Sequence, residues 1–206
     1  MKTKHLLYSV LLCAIFFSAQ SVKAQSTTSP DTVCAGKAGV PYYISKTPGS
    51  VFHWVVPNGT IASGNNSDSI TVNWSTTSGT DTIKVVEVNA HGCIGDTQKL
   101  AVYRMPLPTA TITGIDSVCW NNTINSFNVS FTGVGPWNFT YSNGTTSTSL
   151  TNISANPYTV NLGHLAATTT YTITAVSNKF GCTGTFSGSH VVEVNPKPTT
   201  SAIYHK

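Results

Sequence analysis

Apolar and polar residues alternate along most of the chain with a period of two. Phe127/Val129/Phe131 form one such stripe, followed by Trp137/Phe139/Tyr141, Tyr158/Val160/Leu162 and Tyr171/Ile173/Ala175. Earlier, Ile70/Val72/Trp74 alternate in the same way, Val51 to Val56 is a short apolar run closed by Pro57-Asn58-Gly59, and Thr82 to Val88 is rich in β-branched residues. A period of two places every second side chain on one face of a strand. Turn sequences such as Pro57-Asn58-Gly59 and Asn143-Gly144 punctuate these runs at short intervals, and no later segment carries a capped 3.6-residue stripe. The pattern predicts an all-β chain of sandwich type with almost no helix.

The amino-terminal segment follows a different rule. Lys2, Lys4 and His5 precede an apolar run from Leu6 to Phe17, and Val22-Lys23-Ala24 supplies the small residues of a cleavage site. This is the layout of a secretory signal peptide over residues 1–24, cut between Ala24 and Gln25. The run is too short for a comfortable membrane span, and Cys13 lies inside it rather than after a small-residue box, so neither an anchor nor a lipoprotein is expected. The reading gives a secreted chain in the periplasm or at the outer cell surface, with no transmembrane segment in its mature part.

Composition then changes the picture. Only 9% of the 206 residues are charged, while 40% are hydrophobic, so the chain can build a core but is unlike an ordinary cytosolic enzyme. The formal charge of +4 belongs largely to the leader: removing Lys2, Lys4 and Lys23 from eleven basic residues leaves eight against seven acidic ones. Those eight are scattered, which excludes a phosphate-neutralising patch and with it nucleic acid as a partner.

An internal repeat divides the remainder. Asp31-Thr32-Val33-Cys34 recurs as Asp116-Ser117-Val118-Cys119. His91-Gly92-Cys93-Ile94-Gly95 recurs as Phe180-Gly181-Cys182-Thr183-Gly184, and Pro106-Leu107-Pro108-Thr109 as Pro196-Lys197-Pro198-Thr199. The expected units are residues 25–105 and 106–198, joined by a stiff Pro-x-Pro spacer and followed by a tail at 199–206. Each unit holds two cysteines, and an exported chain uses such pairs as disulfides. Repeat equivalence and independent folding of each unit predict Cys34–Cys93 and Cys119–Cys182. Metal binding is the competing use, but there is no Cys-x-x-Cys pair and no His at ligand spacing.

A Cys near the start of each unit, a Trp further on (Trp54, Trp137) and a second Cys after a long strand resemble immunoglobulin-like domains. Here the second Cys follows hairpin-turn sequences, Asn89-Ala90-His91-Gly92 and Asn178-Lys179-Phe180-Gly181. With Trp54-Val-Val-Pro-Asn-Gly-Thr-Ile61, Ile70-Thr-Val-Asn-Trp74 and the Pro-x-Pro-Thr spacer, residues 30–105 resemble the PKD-like repeats of Bacteroidota surface proteins. Those repeats occur in adhesins and in chains associated with gliding motility or type IX secretion. Residues 109–196, with Gly135-Pro-Trp-Asn-Phe-Thr-Tyr-Ser-Asn-Gly144, are similar to the companion Ig-like repeat. The resemblance implies two tandem Ig-like/PKD-like β-sandwiches with a non-catalytic spacer or binding role. It lacks the acidic loops that hold calcium in related domains, since the chain has seven acidic residues in all. Four Asp-Ser/Thr-aliphatic triplets resemble the O-glycosylation acceptor pattern of Bacteroidota, which would make Thr32, Ser69, Thr82 and Ser117 acceptors. The other reading of the triplets is plain strand entry.

No catalytic constellation, phosphate loop or metal motif is present, so no catalytic residue, metal or cofactor is assigned and a hydrolase is a remote alternative. Trp54, Trp74 and Trp137 alternate with apolar neighbours and read as core. Trp120, beside Cys119 and before Asn121-Asn122, reads as exposed and is one candidate binding residue. Tyr204, in the short apolar run Ala202-Ile203-Tyr204 of the tail, is the other, in a segment able to add a strand to a partner's sheet. The expectation is a non-catalytic adhesion or assembly module with a protein partner at the outer membrane or cell surface. A carbohydrate-binding protein with a glycan partner is the alternative.

Overall fold

A computed structural model describes residues 30–45, 47–120 and 125–205. The leader, with Ala24 and Gln25 at its expected cleavage point, lies outside the described residues, as does the Asn121-Asn122 pair. Every regular element among the described residues is a strand, as the period-two pattern requires.

The first unit comprises β1 (Asp31–Cys34), β2 (Val40–Tyr43), β3 (Val51–Val55), β4 (Gly59–Ser63), β5 (Ser69–Trp74), β6 (Gly79–Val88) and β7 (Gln98–Met105). One sheet has the order β1-β7-β6-β3 and the other β2-β5-β4. The sheets close over Val33, Tyr42, Ile70, Val72, Trp74, Ile83 and Val102, which are alternate residues of their strands. Trp74 turns its indole N–H to the Tyr42 hydroxyl at 3.2 Å, so the largest apolar surface in this core is buried without stranding a donor. Trp54 is half-buried and donates to the Ser67 carbonyl at 2.8 Å.

The second unit comprises β8 (Thr109–Ile112), β9 (Gly114–Cys119), β10 (Asn125–Thr132), β11 (Trp137–Ser142), β12 (Ser147–Ile153), β13 (Tyr158–Gly163), β14 (Thr169–Asn178), β15 (Thr185–Ser187) and β16 (Ser189–Asn195). Its sheets run β13-β10-β8-β15 and β12-β11-β14-β16-β9. Phe127, Phe131, Trp137, Phe139 and Tyr171 fill the space between them. Phe131 stacks on Trp137 with centroids 5.1 Å apart. The chain is therefore all-β, two β-sandwiches in series.

Parallel pairing of the first strand, β1 or its repeat counterpart β9 in the second unit, with the last strand governs where the cysteines fall. β1 runs parallel to β7 with Cys34 beside Met105, and β9 runs parallel to β16 with Cys119 beside Asn195. Each first-strand cysteine thus sits at the far end of the last strand. Cys93 precedes the near end of β7, and the seven steps from Gln98 to Met105 span about 23 Å. A disulfide needs Cα atoms within about 7 Å. The expected pairs Cys34–Cys93 and Cys119–Cys182 are accordingly not formed. Cys34 is bonded instead to Cys182 across the two units, with Cα atoms 5.4 Å apart, and Cys93 and Cys119 are free and exposed. Repeat equivalence matches the cysteines of one unit to those of the other, but it does not reveal that the two within a unit lie at opposite ends of its sandwich.

Candidate functional site: the junction between the units and its two open counterparts

The most elaborated feature of the chain is the junction. On one side stand the ends of β1 and β7: Cys34, Ala35, whose N–H donates to the Met105 carbonyl at 2.9 Å, and Met105 itself. On the other stands the turn between β14 and β15. Asn178 shapes that turn, because its side-chain oxygen accepts from the N–H groups of Phe180 and Cys182, both at 3.0 Å. Its backbone N–H donates to the Cys182 carbonyl, also at 3.0 Å. Gly181 completes the turn at φ 80°, the left-handed region where a side chain is strained.

The two sides meet by shape as well as by the disulfide. The Asn178 amide N–H₂ donates to the Met105 sulfur at 2.9 Å, leaving Asn178 and Cys182 each 1% exposed. A Cβ on Gly184 would lie 1.6 Å from the Pro108 carbonyl oxygen, so only glycine permits this approach. Thr185 N–H then donates to the Pro108 carbonyl, and β15 pairs in parallel with β8 from Thr185 opposite Thr109 onward. The Pro106-Leu107-Pro108 segment is therefore a clamped connection rather than a loose tether.

Each half of this junction has a copy at an outer end of the molecule. Around Cys93, Asn89 repeats the turn: its side-chain oxygen accepts from His91 and Cys93 N–H at 2.9 Å, its N–H donates to the Cys93 carbonyl at 3.0 Å, and Gly92 has φ 79°. Around Cys119, Trp120 N–H donates to the Asn195 carbonyl at 2.8 Å as Ala35 does to Met105. In both copies the cysteine is free and exposed. Ile94 is 75% exposed and Trp120 48%.

The other expected residues are spread over the surface. Tyr204 is exposed in the tail, which places it apart from Trp120 in sequence and without a regular element of its own. Thr32, Ser69 and Ser117 are exposed on β1, β5 and β9, and Thr82 is half-buried on β6. Only Asp31 opens its strand with the following Thr. Asp81 serves a different purpose that sequence reasoning missed: it is buried and paired with Arg104 at 2.5 Å, while Asn58 donates to its other oxygen at 2.7 Å. Arg104 also donates to the Thr77 carbonyl. Asp81 and Arg104 are 23 residues apart, so no local spacing announces the pair. Among the described residues no three His, Cys, Asp or Glu side chains converge, and no helix is long and apolar enough to cross a membrane.

Tyr42 is the most perturbed acid. Burial raises its pKa well above the usual tyrosine range, opposed by the Trp74 N–H and reinforced by Asp31, which accepts the phenol proton at 3.1 Å.

Comparison with known proteins agrees with this architecture. A search of curated protein sequences finds no match. Among solved structures, a three-Ig fragment of titin is similar at 12% identity over 81% of this chain and 63% of that one, with a TM-score of 0.53. Fibronectin(III)-like modules of Clostridium thermocellum CbhA align at 15% identity over 88% of this chain and 98% of theirs, with a TM-score of 0.39. At such identity the titin likeness speaks to the fold alone. Residues 20–102 match the family model of the PKD-like domain, so the first unit is PKD-like in sequence and the tandem is Ig-like in fold.

Proposed function

We propose that the chain is exported, loses residues 1–24, and works at the bacterial surface as a non-catalytic adhesion or assembly module. The observation that supports this best is the junction. A disulfide and a buried Asn178–Met105 contact tie the two sandwiches to each other, and a glycine-dependent fit at Pro108 clamps the segment that joins them. Fixing two domains end to end is useful to a chain that must present a surface or transmit load, and it adds nothing to chemistry on a bound substrate. The bridge itself suits an oxidising compartment. Association with gliding motility or type IX secretion extends the resemblance to Bacteroidota surface repeats and belongs to the same reading.

Three measurements test it together. The mature protein should begin at Gln25, react on intact cells with a membrane-impermeant label, and cross-link into an outer-membrane complex that is lost on deleting residues 199–206. A cytoplasmic protein with an intact leader would sink the reading.

A second reading rests on Trp120, whose exposed indole suits stacking against a sugar ring. Binding on a glycan array that Trp120→Ala abolishes would establish it in place of the first.

A further inference from the structure

We infer that the molecule joins to a second copy of itself, head to tail, by repeating its internal junction: Cys119 of one copy bonds Cys93 of the next. This rests on the export reading for its oxidising surroundings and names the partner that reading leaves open.

The internal junction needs two halves, and both are present again, unused, at opposite ends. Cys93 is the counterpart of Cys182. It sits in a turn with the same Asn side-chain acceptor, the same backbone hydrogen bonds and the same left-handed glycine. Gly95 N–H donates to the Glu87 carbonyl at 2.8 Å as Gly184 N–H does to Val176 at 3.0 Å. Cys119 is the counterpart of Cys34, at the same register on a parallel first strand, and in both units the last strand runs on into a Pro-x-Pro-Thr sequence. The formed Cys34–Cys182 bond therefore shows what the vacant pair does when the two surfaces meet. A link between Cys93 and Cys119 of one copy is excluded by their positions at the two outer ends, so the contact is heterologous and extends into a chain of copies.

An open sheet edge among the described residues agrees with this. In the second unit β8 lies between β10 and β15 and inserts Ala110 and Ile112, both fully buried. β2 is the counterpart of β10, with Tyr42 opposite Ile70 on β5 as Val129 lies opposite Tyr158 on β13. Among the described residues β2 is an edge with no strand in the place of β8, and residues 96–97, where β15 would correspond, are unpaired coil. The sequence of residues 25–29, Gln-Ser-Thr-Thr-Ser, holds no apolar side chain. The tail does: Thr199-Thr-Ser-Ala-Ile-Tyr204 follows Pro196-Lys-Pro198 as β8 follows Pro106-Leu-Pro108, which puts Ala202 in the place of Ile112 and Tyr204, 87% exposed, on the same face. Pro41 does not block the addition. β8 covers Val129–Thr132 of β10, which corresponds to residues 42–45, clear of Pro41. The tail of one copy thus enters the first unit of the next by strand addition while the cysteines close beside it.

The covalent step is the oxidation of two thiols to one disulfide, losing two protons and two electrons. The electrons go to a small-molecule disulfide or a disulfide-bonded oxidoreductase, which leaves as its dithiol form. In the test the full chain, secreted to the periplasm of an expression host, is incubated with an oxidised and reduced glutathione mixture and run without reductant. A ladder of multiples is expected, with Cys93–Cys119 peptides joining copies of different isotope label. Cys93→Ser alone and Cys119→Ser alone should stay monomeric, and their equal mixture should stop at the dimer. Deleting residues 199–206 should slow the link about tenfold if strand addition guides it; an unchanged rate would overturn the strand-addition part. Free Cys93 and Cys119 under conditions where Cys34–Cys182 is complete, or ladders in either single variant, would overturn the junction. Because the assay is done on purified protein, a ladder here with a cytoplasmic location in cells overturns the export reading alone.

Discussion

Trp120 occupies in the second unit the position that Ala35 occupies in the first. Both follow the cysteine that ends a first strand, and both donate a backbone N–H to the last residue of the parallel partner strand, Ala35 to Met105 and Trp120 to Asn195. Ala35, beside the Cys34–Cys182 bridge, is 4% exposed, whereas Trp120 is 48% exposed. Replacing an exposed side chain of this kind changes stability by no more than about 0.5 kcal/mol. Trp120→Ala should therefore melt like the wild type, yet slow the linking of copies, because the indole would lie in the new contact. Calorimetry beside non-reducing gel kinetics checks both halves of the statement.

The inter-unit bridge should dominate stability. Cys34 and Cys182 are 148 residues apart, and in the chain-entropy model closing so long a loop contributes about 5 kcal/mol. Cys34→Ser and Cys182→Ser should lower the melting temperature by the same amount, and the double variant no further, since either change removes one bond. Peptide mapping of the oxidised protein should recover Cys34 joined to Cys182; Cys34–Cys93 in its place would refute the structure.

Gly184 and Gly95 are equivalent in the repeat but not in their surroundings. A methyl on Gly184 collides with the Pro108 carbonyl, while on Gly95 the nearest atom is the Glu87 oxygen at 3.4 Å. Gly184→Ala should open the β8–β15 pairing and delay formation of the Cys34–Cys182 bond. Gly95→Ala should leave the isolated chain intact and obstruct only the approach of a second copy's Pro198. Thiol-trapping time courses on the two variants give the comparison.

Asp81 and Arg104 form a buried pair in which removing one partner strands the other's charge. Such a loss typically costs about 3 to 5 kcal/mol. Asp81→Ala should destabilise the first unit by that order, seen as a lower denaturant midpoint, and Asp81→Asn by less because it keeps an acceptor for Arg104. The result would also bear on glycosylation at Thr82. Its preceding Asp is committed to Arg104 and is not free to be read by an enzyme.

What the sequence makes legible follows from what is local. Period-two alternation locates the strands around Ile70, Val129, Phe139 and Ile173, and the turns ending in Gly92-Cys93 and Gly181-Cys182 form as their residues suggest. Strand direction is not local. Whether β1 lies parallel or antiparallel to β7 decides which end of the sandwich carries Cys34, and it depends on a pairing between the two extremes of the unit. Asp81 looks in the sequence like the head of an Asp-Thr-Ile triplet because its partner Arg104 lies on the neighbouring strand, β7, beyond the Cys93 turn. The open junction halves are visible in the sequence as repeats, but their meaning requires seeing one pair closed.

Tyr42 makes the first unit sensitive to alkali in a definite direction. Its hydroxyl is buried beneath Trp74 and donates to Asp31, so the folded state holds the proton more tightly than the unfolded chain does. A raised pKa in the folded state contributes stability that is fully present below the unfolded value of about 10 and is lost as pH rises through it toward the folded one. Denaturant midpoints measured from pH 8 to pH 11 should accordingly be flat at first and then fall. In Tyr42→Phe the midpoint should be lower throughout, from the lost hydrogen bonds, and the alkaline decline shallower, because no phenol is left there to ionise. Equal slopes in the two proteins would mean that Tyr42 ionises as freely folded as unfolded, and its place between Trp74 and Asp31 would then need another explanation.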